Sequence, residues 1–188
     1  PTSAPIHMPL RNTPAAYGTI ARTLHWTMAI LILASLAFIE FRGAFPRGTY
    51  FRGAFRDWHV QIGIVIFALV WFRLFWRFAN VEPPVMPPLP AWQRAASHVV
   101  EYAFYFLMVL LPILGVLSMQ AEGRPPALLG WQLPIVVGVD KDWSHKLEDI
   151  HEWLGTAMMW LIGLHVLATL FHRVVRRDNT LARMWGRS

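Results

Sequence analysis

The fold of this chain is decided by the stretch His151-Glu-Trp-Leu-Gly-Thr-Ala-Met-Met-Trp-Leu-Ile-Gly-Leu-His165. It places two histidines fourteen residues apart on one apolar segment. In an α-helix fourteen residues make nearly four turns, so both side chains lie on one face, about 21 Å apart. One small metal ion cannot bind both imidazoles, but each imidazole can serve a separate site.

This segment is one of four that are long and apolar enough to cross a membrane. Of the 188 residues, 55% are hydrophobic and 15% are charged, and about 17–25 apolar residues span the hydrocarbon of a bilayer. Spans are predicted near 24–41, 59–78, 97–119 and 151–172, which leaves little room for a soluble domain. The expected fold class is an all-α integral membrane four-helix bundle.

The ends of the chain and its lack of cysteine limit the chemistry. Residues 1–23 are rich in proline and polar groups and have none of the features of a secretory signal. We expect a poorly ordered tail, whose first residue follows from processing or trimming, or whose native start is Met8. The chain has no cysteine, which excludes disulfides, iron–sulfur clusters and covalently attached haem. Any haem is therefore of the non-covalent b type.

The distribution of positive charge predicts the orientation in the membrane. With four spans, both termini lie on one side, and the side richer in Lys and Arg faces the cytoplasm. The two loops opposite the termini carry seven of the 17 basic residues, and the termini side carries ten. The tail at 1–23 and the segment at 173–188 are thus predicted to be cytoplasmic, with the proline-rich linker at 82–90 as a stiff strap on the same side. The ten are Arg11, Arg22, Arg73, Arg77, Arg94, Arg173, Arg176, Arg177, Arg183 and Arg187.

Two further histidines supply partners for the first two. Span one enters from inside with His25 at its inner end, and span two returns from outside with His59 at its outer end. Span four starts outside, so His151 matches His59 in depth and His165 matches His25. We predict an outer haem b held by His59 and His151 and an inner haem b held by His25 and His165. Two imidazoles saturate the iron, which favours electron transfer over oxygen binding.

Other interpretations of the histidines stay open. Membrane histidines also form isolated hydrogen bonds between helices, and the matched depths of the four are what favour ligation. His7 and His145 are expected to be solvated, and His98 opens span three. His172 lies two turns beyond His165 on nearly the same face and is a candidate contact for a quinone or a haem propionate, or an ordinary interfacial histidine.

Several separated motifs, in a fixed order, carry a resemblance. With them the chain resembles the bacterial cytochrome b561 family, and closely its CybB-type superoxide oxidases, which are four-helix di-haem b proteins of the inner membrane. The resemblance runs from about Ile20 to Met184, and the family's ligands fall on His25, His59, His151 and His165. The motifs include Leu24-His25-Trp26, His59-Val60, Leu111-Pro112-Ile113-Leu114-Gly115, His151-Glu152 and Gly163-Leu164-His165.

The resemblance implies a superoxide:ubiquinone oxidoreductase. Superoxide would be oxidised to dioxygen on the periplasmic side, with electrons passing through the haems to ubiquinone and no catalytic side chain beyond the haems. Arg73 lies fourteen residues after His59 and so near the inner haem, where it would contact a propionate or quinone, or else snorkel to the headgroups. The outer loop carries a second Arg-Gly-Ala-Phe and is longer than the family pattern.

Four arginines of that loop form a predicted cationic mouth. They would raise the local concentration of superoxide near the outer haem, or else they are solvated near anionic headgroups. They are Arg42, Arg47, Arg52 and Arg56.

Two other functions compete with superoxide oxidation. The first is a cytochrome b subunit that conducts electrons between quinone and a partner hydrogenase or dehydrogenase, which would need a docking face on the outer loops. The second is a haem-free structural bundle. No nucleic-acid partner is expected.

Overall fold

A computed structural model describes residues 9–185. Four long helices make up the molecule, and each is long and apolar enough to cross a membrane. The predicted all-α four-helix membrane bundle is therefore confirmed. The helices are α1 (Thr19–Phe41), α2 (Tyr50–Phe78), α3 (Ala91–Ala121) and α4 (Lys141–Phe171).

The helices extend beyond their apolar spans, chiefly at their N-terminal ends. Helix α4 begins at Lys141, ten residues before the predicted span, because a charged but helix-compatible segment precedes the apolar part. Asp140 is its N-cap, and the side chain accepts a hydrogen bond of 3.0 Å from the Trp143 backbone N–H. Such a cap satisfies one of the free N–H groups at a helix start.

Helices adjacent in sequence pack against one another, α1 on α2, α2 on α3 and α3 on α4. Their shared core is small and lies inside the bundle, where Met28, Val70 and Met158 are nearly inaccessible. Large apolar side chains cover the outside instead, including Phe75 at 71% exposure and Trp160 at 78%. Such a surface suits contact with lipid chains, in which the backbone polar groups must be satisfied within the helices.

At the end that carries His59 and His151, two connections join the helices. One turn of 3-10 helix, Arg42–Ala44, leads from α1 towards α2. A two-stranded antiparallel hairpin, β1 (Ala127–Leu128) and β2 (Trp131–Gln132), lies between α3 and α4. Ser118 and Ser144 join these two helices, because each buried hydroxyl donates to the backbone carbonyl of the other residue, at 3.3 and 3.1 Å.

At the opposite end the C-terminal segment folds back over the proline-rich linker. One turn of π-helix at His172–Arg176 leads to helix α5 (Thr180–Trp185). Asn179 clamps the linker, since its side-chain oxygen accepts from the Met86 N–H at 2.7 Å and its own N–H donates to the Met86 carbonyl at 3.2 Å. The Arg183 guanidinium donates to the Pro83 carbonyl.

Residues 9–18 differ from the poorly ordered tail that was expected. The Thr19 N–H donates to the Pro9 carbonyl at 3.0 Å, and the Gly18 N–H donates to the Asn12 side chain at 3.0 Å. A side chain at Gly18 would place its Cβ 2.4 Å from the Arg11 carbonyl, so only glycine fits this close approach. His7, Met8 and Arg187 lie outside the described residues.

Candidate functional site

His59 on α2 and His151 on α4 face each other across the bundle. Their ring centres are 6.0 Å apart and the ring planes are nearly perpendicular, at 84°. Nδ1 of His59 lies 3.0 Å from the Ser35 carbonyl oxygen, and Nδ1 of His151 lies 2.9 Å from that of Leu111. A carbonyl only accepts, so Nδ1 of His151 carries the proton and donates it. Nδ1 of His59 also lies 2.9 Å from the Ser35 hydroxyl, which can accept from the same N–H, so the contact with the Ser35 carbonyl sets the same tautomer in His59. Nε2 of each ring is then bare, as in a metal-binding histidine oriented by a backbone carbonyl.

The sequence of α3 explains how His151 comes so close. Pro112 lacks an N–H and interrupts the hydrogen-bond ladder inside the helix. The carbonyl that this proline leaves without a helical donor is that of Met108, four residues earlier, whereas His151 contacts the carbonyl of Leu111. One turn on, Gly115 leaves room for the ring, because an added Cβ would lie 3.2 Å from Cε1 of His151.

A cavity of about 510 Å³ adjoins this histidine pair. Its size falls in the range of sites for small molecules and cofactors. Gly63 and Gly155 both line it, each one helical turn after a histidine, and a Cβ added to either would meet no atom within 4 Å. The two glycines therefore hold open a space beside the two bare Nε2 atoms.

The mouth of the cavity carries charged groups of both signs. Arg42, Arg52 and Arg56 of the predicted cationic mouth line it, whereas among the described residues Arg47 is not part of the lining. Arg124, which the sequence did not single out, lines it too and is paired with Glu122. Glu148 and Glu152 are the other carboxylates in the lining.

A second histidine pair lies at the other end of the bundle. The rings of His25 and His165 have centres 6.4 Å apart and planes inclined by 58°. Nη2 of Arg73 lies 3.1 Å from Nδ1 of His25, and its Nε donates to the Tyr105 hydroxyl at 3.3 Å. Because a guanidinium only donates, this contact makes Nδ1 of His25 an acceptor. A neutral histidine that accepts at Nδ1 carries its proton on Nε2. Before Nε2 of His25 can bind a metal, the proton must move to Nδ1, which requires Arg73 to turn away.

The separation of the rings would let His59 with His151, and His25 with His165, hold one iron ion between them. Metal–imidazole bonds of about 2 Å on opposite sides of an ion put the ring centres about 6 Å apart, close to the two observed separations. Within residues 9–185 no group of three or more His, Asp or Glu side chains could hold a metal. A haem brings its own ring nitrogens and needs only two axial ligands, so the residues fit haem better than a bare ion.

The remaining histidines lie apart from these pairs. Nδ1 of His172 is 2.5 Å from Oδ2 of Asp178, whose side chain is fully buried. His98 lies 3.8 Å from the Glu101 carboxylate at the start of α3, and His145 is exposed near the start of α4.

Comparison with known proteins agrees with the geometry. The sequence model described as prokaryotic cytochrome b561 matches residues 16–187. The chain belongs to the prokaryotic cytochrome b561 family. This cytochrome b561 protein is thus a membrane electron-transfer protein, of a family that binds b haems.

Curated relatives cover nearly the whole cytochrome b561 chain. Cytochrome b561 homolog 1 of Escherichia coli K12 is 32% identical over 164 residues, which is 87% of this chain and 93% of the relative. The probable superoxide oxidase CybB of Yersinia pestis is 29% identical over 172 residues, 89% of this chain and 94% of its own. Cytochrome b561 homolog 2 of Escherichia coli K12 is 29% identical over 187 residues, 96% and 97% of the two chains.

Proposed function

We propose that this protein is a superoxide:ubiquinone oxidoreductase of the bacterial inner membrane, with both termini in the cytoplasm. It holds an outer haem b between His59 and His151 and an inner haem b between His25 and His165. Superoxide is oxidised to dioxygen at the periplasmic end, and the electrons leave to ubiquinone.

The observation that carries this proposal is the histidine pair beside a cavity whose mouth is lined by arginines. The lining includes Arg42, Arg52, Arg56 and Arg124. Arg56 is paired with Asp57 and Arg124 with Glu122, so within the described part of the chain Arg42 and Arg52 are the arginines of the mouth without a carboxylate partner. Arg52 donates to the carbonyls of Arg42 and Phe45, at 3.3 and 3.0 Å, which fixes its charge without neutralising it. A relative of similar length is named a probable superoxide oxidase.

The overall reaction balances without a side-chain acid or nucleophile. Two superoxide anions each lose one electron and become dioxygen, while one quinone takes up those two electrons and two protons and becomes quinol. When bound, the haems supply reversible one-electron chemistry. The arginines bring the anion to the mouth, and backbone carbonyls orient the rings of His59 and His151.

The side chains between the two histidine pairs are apolar along the route that electrons would take from the outer pair to the inner pair. Met158 lies seven residues from both His151 and His165 and is 3% exposed, and Val70 beside it is fully buried. Met158 also lines the cavity, and the apolar side chains of this region offer water and ions no hydrogen-bond partner. Electrons can be transferred through this apolar region, whereas ions cannot pass through it.

At the cytoplasmic end, Arg73 and His172 are the proposed contacts for quinone or a haem propionate. Arg73 reaches the ring of His25, and a carboxylate or carbonyl acceptor nearby would draw its guanidinium away from Nδ1. His172 is held on Asp178 through Nδ1, so its Nε2 is the atom left for a ligand.

Stopped-flow spectroscopy tests the proposal. Purified protein mixed with superoxide should show haem reduction faster than superoxide dismutates, and a ubiquinone analogue added afterwards should reoxidise the haem. Reduction no faster than dismutation would rule out the oxidase.

Removing one charge from the mouth tests the steering role. Arg42→Gln should lower the rate of haem reduction by superoxide by about two- to threefold at low salt, and the difference should shrink as salt screens the field. Arg47→Gln is the matched control, since it removes the same charge from the same loop outside the cavity lining. Equal rates in both variants and the parent would argue against steering from the mouth.

A further inference from the structure

The connection between α3 and α4 is unusually apolar for a loop. From Pro125 to Val139, between Arg124 and Asp140, it carries no charged residue. Its side chains are nevertheless largely uncovered by protein, with Leu129 81% exposed, Trp131 83% and Val136 70%. We call residues 125–139 the hairpin segment, and Leu128–Trp131 its tip.

The tip does not point away from the bundle but reaches back along α2. The Leu129 backbone N–H donates to Oε1 of Gln61 at 3.1 Å. Gln61 lies four residues past Asp57, and no charged residue follows Asp57 until Arg73. At 1.5 Å per residue, the tip is thus held about 6 Å beyond the last charge at this end of α2.

The same depth marks the change from charged to apolar surface on α4. Glu152 is the last charged residue before Arg173 and is adjacent to His151, which faces His59. The tip is therefore level with the boundary between polar headgroups and hydrocarbon. Trp58, 54% exposed on α2, lies at this boundary, where tryptophan is enriched in membrane proteins.

The hairpin segment can also enter the bilayer, because several of its backbone N–H and C=O groups form hydrogen bonds within the protein. Gln120 is 3% exposed, and its amide donates to the Pro134 carbonyl at 2.8 Å and accepts from the Val136 N–H at 3.0 Å. The Leu133 N–H donates to the Pro126 carbonyl at 3.1 Å. Unpaired backbone groups at membrane depth would be costly.

We propose that the tip of the hairpin segment is seated in the lipid bilayer, at the headgroup boundary of the leaflet nearest His59 and His151. Its uncovered apolar side chains continue the lipid-facing surface of α2, so the occupant is lipid. The hairpin then sets the depth of the bundle at this end. This inference concerns the membrane alone and holds whatever the electron donor is.

Site-directed spin labelling tests the depth directly, because the chain has no native cysteine. Single-cysteine variants Leu129→Cys and Trp131→Cys are labelled in nanodiscs of phosphatidylethanolamine and phosphatidylglycerol. Collision rates with oxygen, which concentrates in lipid, are compared with those of a water-soluble nickel chelate. Lys141→Cys at the exposed start of α4 is the control for water, and Phe72→Cys on the exposed face of α2 is the control for lipid.

Labels at the tip should collide with oxygen at least about threefold more often, relative to nickel, than the label at Lys141→Cys, approaching the ratio at Phe72→Cys. A haem spectrum like the parent's shows that each variant is folded. Tip labels as accessible to nickel as the Lys141→Cys label would overturn the proposal, and would leave this surface for a protein partner, as the electron-conduit function requires.

Discussion

At the scale of single residues, two glycines shape the cavity. Gly63 and Gly155 each follow a histidine by one turn, and both open onto empty space. Glycine lowers the stability of a helix interior by roughly 1 kcal/mol relative to alanine, so its presence at both positions needs a reason. The proposed function supplies a reason, namely room for a flat cofactor beside the histidine rings.

Filling that room should remove one cofactor. Gly155→Leu is expected to lower haem content from about two per chain to about one, because the new side chain occupies the cavity beside His151. Thr156→Leu is the matched control, since Thr156 is the next residue on the same helix but is exposed and lies outside the cavity lining. The pyridine haemochrome assay measures the ratio, and full haem content in Gly155→Leu would show that the cavity is not the haem site.

Removing a single ligand should separate the two haems. His151→Ala and His165→Ala are each expected to retain about one haem per chain, with different reduction potentials for the haem that remains, since the two sites differ in their surroundings. His145→Ala, at an exposed position on the same helix, should keep both. Spectroscopic redox titration distinguishes the variants, and an unchanged two-haem titration in either ligand variant would refute the assignment.

At the scale of elements, the C-terminal segment depends on one buried carboxylate. Burial alone would raise the pKa of Asp178, but hydrogen bonds from His172 and Thr180 outweigh it and hold the pKa below its ordinary value of 3.8. A carboxyl whose pKa is lower in the folded state contributes stability that is complete above the unfolded pKa and is lost as pH falls through the folded one. The fold of this segment should therefore withstand mild acid.

Neutralising this carboxylate should loosen the segment at neutral pH. Asp178→Asn replaces charge-assisted hydrogen bonds by weaker ones, which is expected to reduce the stability of the segment by about 1–3 kcal/mol. Hydrogen exchange of residues 177–185 in nanodiscs at pH 7 would then be faster. Asp149→Asn, on the exposed part of α4, should leave it unchanged, and equal protection in Asp178→Asn would show that the carboxylate is dispensable.

Sequence patterns predicted the elements that follow from hydropathy and chain direction. The four spans and the facing of His59 with His151 need only an antiparallel bundle, because alternate spans run in opposite directions. The contact from Leu129 to Gln61 joins residues 68 positions apart through a loop without periodicity, so no local pattern indicates it. The hydrogen bonds between Asn179 and Met86 could not be predicted either, because neither the C-terminal segment nor the proline-rich linker is amphipathic.

At the scale of the whole molecule, cysteine labelling can determine which end of the bundle faces the cytoplasm. With cytoplasmic termini, Lys141→Cys should react with a membrane-impermeant maleimide in spheroplasts, whereas Arg94→Cys should react only after the membrane is opened. Both side chains are exposed, at opposite ends of the bundle. The reverse pattern would invert the molecule and place the cationic mouth in the cytoplasm.

The stacking of the histidine pairs has an electrical consequence. His151 and His165 are separated along α4 by about 21 Å, roughly two thirds of the hydrocarbon thickness. In the proposed orientation, every electron that travels between these levels carries negative charge inward, against a membrane potential that is negative inside. A full crossing costs about 2.3 kcal/mol per 100 mV, so this one costs roughly 1.6 kcal/mol per 100 mV. Scavenging superoxide would thereby charge the membrane, and a highly energised cell would slow it.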